Sequence, residues 1–125
     1  MAVLKFSLFV VFLLSLTAVA SDGAVDINNQ LSQCSEIKGP KLMLKGSVPV
    51  MSFNLVLKDT IADCGCKSAL GAFSVYAQRD SYKSFLIGGK IALEKDGKKI
   101  IPVAADKNLL KSARLSVSFS CAKPD

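Results

Sequence analysis

Apolar and polar residues alternate along most of the chain beyond residue 40. Met51, Phe53, Leu55 and Leu57 fall on one side of an extended segment, and Ser52, Asn54 and Lys58 fall on the other. A period of two marks a half-buried strand. Pro49 suits a strand start or an edge, and Leu42 and Leu44 make a shorter strand ahead of it. After a break at residues 59–68, a strand runs from Ala69 to Gln78 with Phe73, Val75 and Ala77 on one face. Arg79-Asp80 is a turn, Ser81 to Ile87 a further strand, and Gly88-Gly89 a bend or bulge. Lys90 to Lys95 alternates again. Asp96-Gly97 then stands between two β-rich runs, the favoured pair for a two-residue type I′ hairpin. Ile100 to Val103 becomes the return strand, placed at an edge by Pro102. Residues 104–112 read as a loop with a helical turn at Lys107–Leu110. The last strand is the cleanest: Ala113, Leu115, Val117, Phe119 and Cys121 alternate with Arg114, Ser116, Ser118 and Ser120.

About seven short strands with turn signals between them predict an all-β fold, a small antiparallel β-sandwich, immunoglobulin-like in the broad sense. A small barrel is the alternative. The chain has no Trp, so the Cys…Trp…Cys signature of true immunoglobulin domains is missing. No window of a dozen residues keeps a helical apolar stripe. Residues 21–40 are polar and end in Gly39-Pro40, which predicts an extended lead-in with a helical turn near Asn29–Gln33. The sandwich is accordingly assigned to 41–125.

The first twenty residues have a different character. Lys5 precedes an apolar run from Phe6 to Leu16, and Ala18-Val19-Ala20 supplies small residues before the polar Ser21-Asp22-Gly23. Charged start, apolar middle and small-residue exit compose a secretory signal peptide over residues 1–20. The run is shorter than the roughly 20 apolar residues of a spanning helix, so no stable membrane span is expected after cleavage. Without Lys5, 15 basic residues face 10 acidic ones, a charge of +5. Such a charge suits an anionic envelope component, or solubility alone. The lysines are scattered and no base-reading motif is present, which argues against nucleic acid. An Asn-x-Ser/Thr acceptor is also missing. With the leader, this points to a bacterial periplasm, or secretion, as the destination.

All four cysteines, Cys34, Cys64, Cys66 and Cys121, follow the leader. An even count in an exported domain implies disulfides. Pairing Cys64 with Cys66 would close a tight ring across one glycine and strain the bond. The two remaining connectivities join Cys34 to one of them and Cys121 to the other, stapling the lead-in, the central break and the last strand. Both stay open from the sequence. Each crosslink is worth roughly 2–4 kcal/mol. A competing reading makes Cys64-Gly65-Cys66 a thiol-redox or soft-metal site, with Lys67 favouring a thiolate and Met43 or Met51 as further copper(I) ligands. Against it, the βαβ context of Cys-x-x-Cys enzymes is absent, and Met51 falls on a core face.

Catalysis finds little support. Without any His there is no Ser-His-Asp or Cys-His arrangement and no His-ligated metal. Ser35-Glu36-Ile37-Lys38 matches Ser-x-x-Lys by letters only, with none of the companion motifs. Asp59, Asp63, Asp80, Glu94 and Asp106 sit at expected turns, where carboxylates serve loop chemistry. No catalytic residue, cofactor or metal site is therefore assigned. A non-catalytic binding or interaction module fits better, presenting the break Asp59–Ser68 and the loop Ala104–Ser112. Tyr76 and Tyr82 lie over the sheet or anchor a contact. An envelope protein or anionic envelope component is the expected partner.

Asp63-Cys64-Gly65-Cys66-Lys67-Ser68-Ala69-Leu70, with the β-rich half ending at Ser120-Cys121-Ala122, resembles a family of small exported bacterial proteins of unknown function. The similarity spans residues 40–123. It implies an envelope location and a β domain, and it brings no catalytic residues to transfer. The protein recovered from an envelope fraction is expected to begin at Ser21 by N-terminal sequencing; a cytosolic pool that keeps residues 1–20 would overturn the leader.

Overall fold

The computed structural model describes residues 25–123, so the leader assigned to residues 1–20 lies outside the described residues. Seven strands are described: β1 (Val25–Asn29), β2 (Ser35–Lys45), β3 (Val48–Leu57), β4 (Leu70–Arg79), β5 (Tyr82–Ala92), β6 (Gly97–Pro102) and β7 (Arg114–Cys121). They form two sheets, ordered β1-β7-β4-β5 and β2-β3-β6. Pairing is antiparallel except between β1 and β7, which run parallel. Two separate sheets make the protein a small disulfide-stapled β-sandwich rather than a barrel.

The alternation seen in the sequence decides which side of each strand is buried. Met51, Phe53 and Leu55 of β3 and Ile101 of β6 share one core with Phe73 and Val75 of β4 and Leu115, Val117 and Phe119 of β7. At its centre the rings of Phe53 and Phe119 meet edge to face, centroids 5.4 Å apart. Such pairs contribute about 0.5–1.5 kcal/mol beyond the area they bury.

Three expectations change. The segment 25–40 is not a lead-in: it supplies β1 and the first half of β2, so the boundary at 41 falls inside a strand. Its apolar residues are sparse because β1 and β2 are edge strands, and Val25, Ile27 and Ile37 still pack on the core. A turn at 30–34 separates the two strands, close to the helical turn expected there. Second, Asp96-Gly97 does not close a hairpin. β6 leaves β5 and pairs with β3 across the sandwich. A type I′ turn needs positive φ at both positions, and only Gly97 has it, at 137°. Asp96 instead accepts the Leu57 amide at 2.8 Å, tying the corner to the end of β3. Third, β5 runs unbroken through Gly88-Gly89; the register shift lies near Leu86, between the pairs Val75–Ile87 and Tyr76–Phe85. Gly89 is there for space, since a Cβ would come within 3.2 Å of the Phe73 ring.

Gly71 is a second tight approach, where an added Cβ would overlap the buried Leu93 side chain and lie 3.1 Å from the Ser120 carbonyl oxygen. Overpacking of this kind costs about 1–3 kcal/mol. Gly71→Ala is expected to lower stability by that amount in urea unfolding; an unchanged midpoint would show that this corner is loosely packed.

Candidate functional site

The strand registers place the ends of β3, β5 and β7 and the starts of β2, β4 and β6 at one end of the sandwich. Between β3 and β4 the chain crosses this end in the segment 58–69, which has two buried residues, Ile61 and Cys66. Ile61–Cys64 is one 3₁₀ turn. Gly65 follows at φ 95°, a left-handed conformation that glycine adopts without strain. Its amide donates to the Ala62 carbonyl at 3.0 Å, and the Cys66 amide donates to that of Ile61 at 3.2 Å.

The disulfides are Cys34–Cys64, with Cα atoms 6.2 Å apart, and Cys66–Cys121, at 5.1 Å. One of the two stapling connectivities is therefore realised. Cys34 precedes β2 in the three-stranded sheet, and Cys121 ends β7 in the four-stranded one. Cys64-Gly65-Cys66 is thus bonded to both layers. Each of its sulfurs has a different partner, which does not form the vicinal pair that a two-thiol redox or copper(I) site requires. Met51 is fully buried in the core, away from any such role.

A cleft of ≈ 710 Å³ opens beside this segment. Ile61, Cys66 and Leu93 are buried residues in its lining, and Lys58, Asp59, Asp63, Lys67 and Glu94 are charged residues around it. Lys58 donates to the Ser32 carbonyl at 3.0 Å, bracing this loop against the turn before β2. The break Asp59–Ser68 singled out in the sequence thus lines the cleft. Leu93 and Glu94, on the opposite side of the break in sequence, were not foreseen as part of it. They follow a strand whose partner could not be read from periodicity.

The loop Ala104–Ser112 lies at the other end. It has the expected helical turn at Lys107–Leu110, capped by Asp106, which accepts the Asn108 amide at 2.8 Å. Arg79 donates to the carbonyls of Leu109 (2.9 Å) and Lys111 (3.1 Å). A second hollow of ≈ 620 Å³ lies against it, lined by Leu42, Leu110 and Leu115 among others. Asp106, and Asp80 at φ 30° in the β4–β5 turn, act as the loop carboxylates expected. Tyr76 is half-buried against Phe85, with ring centroids 5.7 Å apart and Lys83 Nζ 5.8 Å from the Tyr76 centroid. Tyr82 is exposed. Ser35 is buried at the start of β2, where its hydroxyl donates to the Leu31 carbonyl at 3.2 Å. Ser35 and Lys38 therefore lie on a strand, not at the helix start that a Ser-x-x-Lys pair needs.

A protein-family model described as uncharacterized protein conserved in bacteria (DUF2195) matches residues 4–124. This agrees with the resemblance carried by Cys64-Gly65-Cys66-Lys67-Ser68 and extends it on both sides. No curated protein and no solved structure matches the chain.

Both crosslinks are expected to be complete in the native protein. An alkylating reagent should label none of the four cysteines before reduction. The double variant Cys34→Ala/Cys64→Ala is expected to lose about 2–4 kcal/mol in denaturant unfolding, the usual worth of such a loop closure. Rapid labelling of Cys64 or Cys66 in the native protein would instead favour the redox reading.

Proposed function

The chain belongs to this bacterial family, and from that premise we propose that it is an exported, periplasmic, non-catalytic binding module that engages an envelope protein through the cleft beside Cys64-Gly65-Cys66. Two disulfides suit an oxidising extracellular or periplasmic environment. No helix among the described residues is long and apolar enough to cross a membrane.

The observation that carries the reading is the construction of the cleft. Its walls come from a segment with almost no core of its own, fixed by covalent bonds to both sheets. A loop held this way loses little conformational entropy when a partner settles on it, so more of the contact energy is kept as affinity. An apolar floor inside a polar rim is the usual anatomy of a protein contact. The rim has cations (Lys58, Lys67) and anions (Asp59, Asp63, Glu94), which sets orientation and selectivity more than strength.

Ala62 and Ala69 are exposed in the lining, so either accepts a large side chain without disturbing the core. In a pull-down from an envelope fraction, the protein is expected to retain a specific partner that Ala69→Trp loses while its unfolding midpoint stays unchanged. A partner held equally by both would place the contact elsewhere.

A further inference from the structure

The outer face of the three-stranded sheet has a composition that the alternating pattern conceals. Between Lys38 and Lys41 the pairing of β2 with β3 shifts: Lys38 lies opposite Asn54, and Lys41 lies opposite Ser52. Two residues, Gly39 (φ 59°) and Pro40, occupy the place of one, the arrangement of a β-bulge. In a regular strand, residues 38 and 41 face opposite sides. Here the bulge puts both on the face away from the core, because Met51, Phe53 and Leu55 point inward. Lys45 joins them opposite Val48, and Lys98 of β6 lies opposite Asn54. β2, β3 and β6 contain one acidic residue, Glu36, whose carboxylate is 3.9 Å from the Lys38 ammonium. Both side chains are about half-exposed, so this pair neutralises little.

Between the lysines the same face mixes apolar and polar residues. Half-buried Met43 lies opposite the buried Val50, Ile100 lies opposite the buried Ser52, and exposed Asn54 stands between Lys38 and Lys98. Ile100 is 43% exposed and Val48 36%. The outer face of the other sheet also has cations, Lys83 opposite Gln78 and Lys90 opposite Ala72. It combines them with the aromatic pair Tyr76–Phe85, with Ser74, Ser116 and Ser118 in register, and with Arg114 paired to Asp26 at 2.8 Å.

We propose that this lysine-rimmed face docks on the surface of an anionic phospholipid bilayer. The inference deepens the reading above and rests on its exported location. Charge complementarity argues for it, and the sign of the charge selects a lipid surface. This face has four lysines against the single Glu36, whereas the rim of the cleft mixes Lys58 and Lys67 with Asp59, Asp63 and Glu94. Charge of one sign spread over a face suits a layer of anionic headgroups. Lysine is a compact, hydrated point charge on a flexible apolar stem. It lies along apolar surface with its ammonium at headgroup level. Short apolar side chains between such lysines reach the boundary region without demanding insertion, and several weak signals together give reversible attachment.

Co-sedimentation of the purified protein with vesicles tests this. Binding is expected to mixed phosphatidylglycerol–phosphatidylcholine vesicles and not to pure phosphatidylcholine, and it should weaken steeply with salt. Each of Lys38→Ser, Lys41→Ser and Lys45→Ser is expected to lower binding roughly fivefold. Lys67→Ser at the cleft, on another part of the surface, should leave it unchanged. Equal binding to neutral vesicles, or an equal loss from Lys67→Ser, would overturn the proposal. So would polyglutamate binding as tightly as the vesicles, which would make the occupant an acidic polypeptide. The assay needs no export. Absent vesicle binding by a protein recovered from the envelope defeats the docking face alone; a cytosolic protein that still binds vesicles defeats the periplasmic reading.

Discussion

Two covalent bonds that meet on either side of Gly65 hold a segment that gives the apolar core only two buried residues. The sandwich interior is supplied by β3, β4, β6 and β7 around the Phe53–Phe119 contact. The segment crossing from one sheet to the other has Ile61 and Cys66 as its buried residues. Ordering a dozen residues on so little apolar area is unfavourable, since each fixed residue costs about 1–2 kcal/mol of backbone entropy. Cys34–Cys64 anchors the segment to the start of β2, and Cys66–Cys121 anchors it to the end of β7. The cleft exists in a defined shape because its least supported wall is bonded to both layers.

Much of this was legible in the chain, and where it was not, the reason is specific. β4 and β7 were plain because each is buried on one face and partly solvated on the other, so their alternation runs from Phe73 to Ala77 and from Leu115 to Cys121. β3 was legible through Met51, Phe53, Leu55 and Leu57, although Val50 and Ser52 on its other face are also buried and Val56 interrupts the polar positions. β1 was missed because Val25 and Ile27 alternate with Asp26 and Asn28 over only five residues. The Asp96-Gly97 corner misled because a dipeptide reports a local bend and says nothing about which sheet the chain enters next.

The candidate site divides in the same way. Cysteine spacing marked the break Asp59–Ser68, and local turn chemistry marked Lys107–Leu110. Both are properties of contiguous residues. The contribution of Leu93 and Glu94 depends on tertiary placement, and the gathering of Lys38 with Lys41 depends on a bulge that shifts the parity of a strand. Gly39-Pro40 was visible as a break, yet its effect, turning two lysines to one side, needs the partner strand's register.

The order of the crosslinks has a bearing on biosynthesis. First cysteine pairs with second and third with fourth. A polypeptide delivered N-terminus first can oxidise Cys34 with Cys64 while Cys121 has yet to emerge, leaving Cys66 as the thiol that the latecomer meets. Assembly by that route asks for an oxidant but no reshuffling of mismatched bonds. Because β1 adjoins only β7 in its sheet, the four-stranded layer is finished last, when the tail of the polypeptide is released.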